Sequence, residues 1–85
     1  MYISEIIKKP VFDGTGKKIG KLKDAIVSSE ISYPIIKAII VDKADKKTIS
    51  IPYIYIDNIG METRLKTSID EIKEYKIKNH DIRLW

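Results

Sequence analysis

The spacing of apolar and polar positions is mainly that of strands, with β-branched residues dominant and Gly, Asp or Pro clusters recurring about every 8–15 residues. Ser4-Glu5-Ile6-Ile7 reads as a single helical turn capped by Ser4, and Pro10-Val11-Phe12 as a short strand. Asp13-Gly14-Thr15-Gly16 predicts a tight turn, because Gly tolerates positive φ and Asp bonds its own downstream backbone. Lys18 to Ser28 then forms one long strand, with Leu22 and Ile26 on one face and Lys21 and Lys23 on the other. Gly20 permits a bulge or bend in it.

A loop from Glu30 to Pro34 leads into a third strand, Ile35 to Val41, apolar on both faces except at Lys37. Such a strand is central, or is covered on its second side by short helices or a second subunit. Asp42 to Lys47 is a polar turn, and the chain returns from Lys47 to Ile51 with Ile49 and Ile51 facing the core until Pro52 ends regular pairing. Tyr53 to Asn58 is expected to make a helical turn. A fifth strand follows over Gly60 to Lys66, with Met61, Thr63 and Leu65 on one side of the alternation. Ser68 with Glu71 has capping-box spacing, and Ile69, Ile72 and Tyr75 or Lys76 predict a short helix over residues 67–75 that covers one barrel opening. Lys76 to Trp85 carries no recognisable pattern and reads as a tail. The expected fold is all-β: a small, partly open barrel of about six strands with one or two short helical turns.

Eighty-five residues allow one domain, 1–85, with its core over about residues 2–66. At 44% apolar and 33% charged the chain has the composition of a folded domain. Its core is thin, so a deep substrate cavity competes with stability, which argues against an enzyme. There is no cysteine, hence no disulfide, thiolate metal site or cysteine nucleophile. No apolar run has membrane-spanning length and the first residues lack a signal-peptide pattern, which makes the cytoplasm the expected location. The net charge is +4, and 14 of the 16 cations are lysines spread along the chain. That dispersal reads as compositional bias rather than a dedicated basic patch.

The motifs that invite chemistry fail on spacing. Gly14 to Lys21 lacks the P-loop pattern: Thr15 stands where the first Gly belongs relative to Gly20, and Leu22 replaces the magnesium-binding Ser or Thr. His80 has no second ligand at metal-site spacing, and Asp42 and Asp45 are turn residues without the other oxygens of a calcium loop. Ser28, Ser29, Ser32, Ser50 and Ser68 have no histidine near them in sequence. No catalytic residue, cofactor or metal is therefore expected. Tyr53, Tyr55 and Trp85 are the aromatic candidates for a contact surface; Tyr53 and Tyr55 read as straddling a strand end, one ring buried and one on the barrel rim. The candidate interface comprises Ile36, Ala38, Ile40, Tyr53 and Tyr55.

Val11-Phe12-Asp13-Gly14-Thr15-Gly16-Lys17-Lys18-Ile19-Gly20-Lys21-Leu22-Lys23-Asp24 resembles the opening signature of the PRC-barrel domains, in which Val, Asp, Gly, Ile, Gly and Asp recur at these intervals. Pro34 to Val41 and Ile49-Ser50-Ile51-Pro52 are similar to that family's central strand and its Ile-Pro element. The resemblance covers roughly residues 2–66, with a departure at Ser28, where the family often carries an acidic residue. It implies a small adaptor barrel rather than a catalyst, with structural hairpin roles for Asp13, Gly16, Gly20 and Asp24. Family settings include a reaction-centre subunit, a ribosome maturation factor, stand-alone archaeal proteins and modules fused to transporter-type regulatory domains. The ending His80 to Trp85 resembles the start of a connection to further domains. The function expected on these grounds is a protein-interaction module with possible self-association; the alternative is an RNA- or ribosome-associated barrel, motivated by the +4 charge.

Overall fold

Asp13 and two glycines fold the chain back after its first strand. The computed structural model describes residues 3–30, 32–33 and 35–84, so expectations that fall on Tyr2, Ile31, Pro34 and Trp85 lie outside the described residues. Helix α1 (Ile3–Ile6) precedes β1 (Pro10–Phe12), β2 (Lys18–Ser28), β3 (Ile36–Lys43) and β4 (Thr48–Pro52). A 3-10 turn, Tyr53–Tyr55, leads to β5 (Ile56–Asn58) and β6 (Thr63–Leu65); a second, Ile69–Glu71, precedes β7 (Asp81–Arg83). All seven strands join one sheet in the order β4-β3-β2-β1-β6-β5, with β7 paired to β2. Among the described residues no ladder joins β4 to β5, so the barrel is partly open.

Strand β2 is the hub. Along one edge it pairs with β3 from Gly20↔Lys43 to Val27↔Ile36. Along the other, its start pairs with β1 and its end with β7, where Ser28 lies opposite Asp81. The main core collects Val11, Leu22, Ile39, Val41, Ile51 and Leu65, with Ile6 of α1 added to it. Ile26, Ala38 and Ile40 form a smaller cluster beneath Tyr75. Ala38 to Val41 are all buried, so β3 is apolar on both faces and both are covered. Burying each large aliphatic side chain there contributes about 1.5–3 kcal/mol.

Leu22 and Ile26 do not share a face. Leu22 pairs with Val41 and Asp24 with Ile40, so Lys23 is an extra residue in β2. A bulge of this kind reverses the alternation beyond it. Leu22 therefore enters the main core, and Ile26 enters the second cluster on the opposite face.

Other expectations are also corrected. Helix α1 begins at Ile3, which puts Ser4 inside its first turn rather than at its cap. Strand β3 starts at Ile36 and runs on to Lys43; Ile35 stays outside it and is exposed. Ile56–Asn58 is a strand rather than the end of a helical turn, and the strand expected over Gly60 to Lys66 shrinks to Thr63–Leu65, leaving Met61 exposed. No helix spans 67–75, and Ser68 makes no side-chain capping bond. The reason is the edge of β4. The Tyr75 amide donates to the Ser50 carbonyl at 3.0 Å, and the Ser50 hydroxyl donates to the Tyr75 carbonyl at 2.5 Å. Those bonds draw the segment out along the sheet. The face of β3 expected to lie under short helices or a second subunit is covered by this C-terminal segment.

Candidate interaction site

The four family-implied hairpin positions lie along β1 and β2 and do not converge on one point. Asp13 is buried, and its Oδ1 accepts from the amides of Thr15 (2.9 Å) and Lys17 (3.0 Å) and from the Thr15 hydroxyl (2.6 Å). The Thr15 hydroxyl bond, with the backbone donors, holds its carboxyl below the usual range against the opposing effect of desolvation. Gly16 sits at φ +88°, where only glycine is unstrained. Gly20 is set by close approach. A Cβ on it would lie 2.1 Å from the Asp42 carbonyl oxygen of β3. The β1–β2 register shifts beside it, between Val11↔Gly20 and Phe12↔Lys18. Asp24 follows the Lys23 bulge, and its buried Oδ1 accepts from the Ala25 amide at 2.7 Å.

The five candidate interface residues divide. Ala38 and Ile40 are 0% and 2% exposed beneath Tyr75, so they offer no free area to a partner. Tyr55 is partly buried against the main core. Ile36 is half-buried and Tyr53 exposed, and both lie at the end of the sheet where Val27 faces Ile36. Two further residues belong to that end. Ile82 of β7 stands opposite Val27 and is 52% exposed; Ile54, just beyond the Pro52↔Ala38 pair, is 72% exposed. Ile82 was hidden from sequence reasoning because β7 itself was not recognisable.

Beside this end the C-terminal segment is clamped. Asp81, with its side chain fully buried, takes Lys37 Nζ at 2.8 Å on Oδ1 and the Tyr75 hydroxyl at 2.5 Å on Oδ2. The Lys37 and Tyr75 contacts lower its pKa to about 2. The same carboxylate raises Lys37, and burial followed by the Asp81 bond raises Tyr75. His80 lies between Glu30 (3.4 Å) and Asp81 (3.9 Å). The Ser28 hydroxyl accepts from the Glu30 amide, and Ser50 is engaged with Tyr75. These groups hold one another in place: an acid, a phenol and an amine form one closed set that ties β7 to β3. The two lone signals read along the chain, His80 and Lys37, meet here.

At the opposite end of β2 and β3 a groove runs past Lys18, Gly20, Lys21 and Lys43, with a cavity of about 400 Å³. It continues past Lys8, Lys21 and Lys23 in one direction and Lys17 in the other. Among the described residues no group of three or more His, Asp or Glu side chains is placed to hold a metal ion, and no helix is long and apolar enough to cross a membrane.

No curated protein matches the chain. A family profile does: that of the PRC-barrel domain, over residues 1–83. The match extends past the first 66 residues to include β7, the strand that the clamp fastens to the hub. With an open seven-stranded sheet built around a glycine-turned hairpin, and a profile that spans nearly the whole sequence, the chain belongs to the PRC-barrel domain family.

Proposed function

We propose that the chain is a non-enzymatic protein-interaction module of PRC-barrel type, working in the cytoplasm, and that it binds through the apolar end of its sheet, with a second copy of the chain as partner. The observation that carries this reading is the gathering of Ile35, Ile36, Tyr53, Ile54 and Ile82 where β2 ends and β3 begins. Exposed apolar area grouped in this way marks an interaction site rather than incidental surface. Strand β7 supports it, since among the described residues its ladder is to β2 alone and its outer edge is open to another strand. The clamp around Asp81 supports a non-catalytic role, because its polar groups satisfy one another.

The test is sedimentation velocity across a wide range of protein concentrations, on the wild type and on Ile54→Lys/Ile82→Lys. Both side chains are exposed, so folding should survive the change, which thermal unfolding checks. The wild type is expected to shift to a dimer with rising concentration and the variant to stay monomeric. A wild type that remains monomeric throughout refutes the self-association.

A further inference from the structure

We propose that the lysine-lined groove at the start of β2 binds the phosphodiester backbone of a single nucleic-acid strand, without reading its sequence. The groove lies at the far end of β2 and β3 from the apolar surface, and the inference does not depend on that surface. Three adjoining depressions share Lys21 and Asp42, or Lys18 and Lys43, and so lie side by side on one surface. Among the described residues six lysines line it, Lys8, Lys17, Lys18, Lys21, Lys23 and Lys43, against three aspartates, Asp42, Asp45 and Asp70. The lining so described carries a net charge of +3, against +4 for the whole chain. A cleft whose lining carries a net positive charge attracts a polyanion.

The lysines are available. Among the described residues no carboxylate lies within ion-pair distance of Lys8, Lys17, Lys18 or Lys21, while Lys23 and Lys43 have only long contacts at 3.9 and 3.8 Å. Lys8 also holds a left-handed backbone, φ +69°, a conformation that favours glycine. Its amide is fixed by the Leu22 carbonyl at 2.7 Å, which keeps this lysine at the groove wall despite the backbone cost.

The chemistry of the lining selects the ligand. Among the described residues no aromatic ring and no arginine lines the groove, so these residues offer bases neither a stacking platform nor a bidentate reader. Lysine ammonium groups suit phosphates as point charges. The surface is concave, which fits a strand better than the plane of a membrane. Gly20 forms part of the floor, where the backbones of β2 and β3 come too close for any side chain.

Fluorescence anisotropy with a labelled oligouridylate tests this. If four lysines each neutralise a phosphate, the log–log salt slope is about −3, and affinity falls about 50-fold between about 50 and about 200 mM salt. Lys8→Gln/Lys21→Gln, at two exposed positions, is expected to halve that slope and weaken binding more than about 10-fold at the lower salt. Asp42→Asn, which removes a negative charge from the groove, is expected to tighten binding. Lys73→Gln/Lys76→Gln, outside the groove, leaves affinity and slope near wild type. Absence of binding at low salt, equal losses in both lysine pairs, or equally tight binding to polyglutamate or to phosphatidylserine vesicles overturns the proposal.

Discussion

A methyl group at Gly20 tests whether close approach of two strands, rather than turn conformation, is what demands glycine in the hairpin. The Cβ of Gly20→Ala would meet the Asp42 oxygen at 2.1 Å and the Asp42 carbon at 2.9 Å, where ordinary contact begins at 3.4 Å. The obstacle is backbone, so β3 must move away by more than 1 Å. Overpacking of this kind costs about 1–3 kcal/mol, and weakening the two ladder hydrogen bonds nearest the site adds about 1 kcal/mol each. Loss of the unfolded-state freedom of glycine returns about 0.4–1 kcal/mol. The net destabilisation is about 2–5 kcal/mol, out of a total of about 4–13 kcal/mol for a chain of this size. Gly16→Ala provides the contrast: nothing lies within 4 Å of its Cβ, and only the positive φ is unfavourable, worth about 1–2 kcal/mol. Gly14→Ala, whose Cβ would meet the Lys66 oxygen at 2.6 Å, falls between them. Urea unfolding followed by far-UV circular dichroism measures all three. Asparagine at position 16 should recover part of the loss, whereas no side chain should be tolerated at position 20. A Gly20→Ala protein no less stable than Gly16→Ala refutes the steric account.

The remaining expectations concern the core and the clamp. Asp81 has a folded pKa of about 2 against 3.8 unfolded, so its contribution is fully present above about pH 4 and is lost as pH falls through 2. Lys37 is raised, so its share persists to high pH and is lost only as pH rises through its folded value. Thermal scans should therefore find Asp81→Asn less stable than wild type at neutral pH, with the gap closing toward pH 2; a gap that persists there contradicts the assignment. Ile39→Ala, at a fully buried position in the main core, should cost about 2–5 kcal/mol in urea unfolding. Ile54→Ala, at an exposed position, should stay within about 0.5 kcal/mol. Thr63 is fully buried, and among the described residues its hydroxyl has no hydrogen-bond partner. Thr63→Val should then raise stability by about 1 kcal/mol, and a loss of stability would mean that the hydroxyl is satisfied.

What the sequence disclosed and what it withheld divide along the range of the interactions. Strand β2 is recognisable to its ends, because eleven residues with β-branched apolar positions and a flanking Asp-Gly turn carry a strong local signal. The Asp13 turn is legible for the same reason, since the bonds that shape it reach to Thr15 and Lys17. The bulge at Lys23 is not, because one lysine among several looks alike whether it is paired or extruded; only the register against β3 distinguishes them. That single residue separates Leu22 from Ile26 and creates the second apolar cluster, which then requires a cover. The cover comes from Tyr75 and β7, whose partners Ser50 and residues 26–28 lie far back in the chain. A local capping signal at Ser68 loses to those distant bonds. The lysines illustrate the same limit. Spread along the sequence they read as composition, and they gather only because the turn after α1, β2 and β3 bring Lys8, Lys21 and Lys43 to one groove. The hub strand thus has a basic beginning and an apolar end, about ten residues apart at roughly 3.3 Å each. A partner protein at one end and a phosphate backbone at the other would not compete for space, so binding of oligouridylate should leave the monomer–dimer equilibrium unchanged, and a shift in it would show that the two surfaces are coupled through β2.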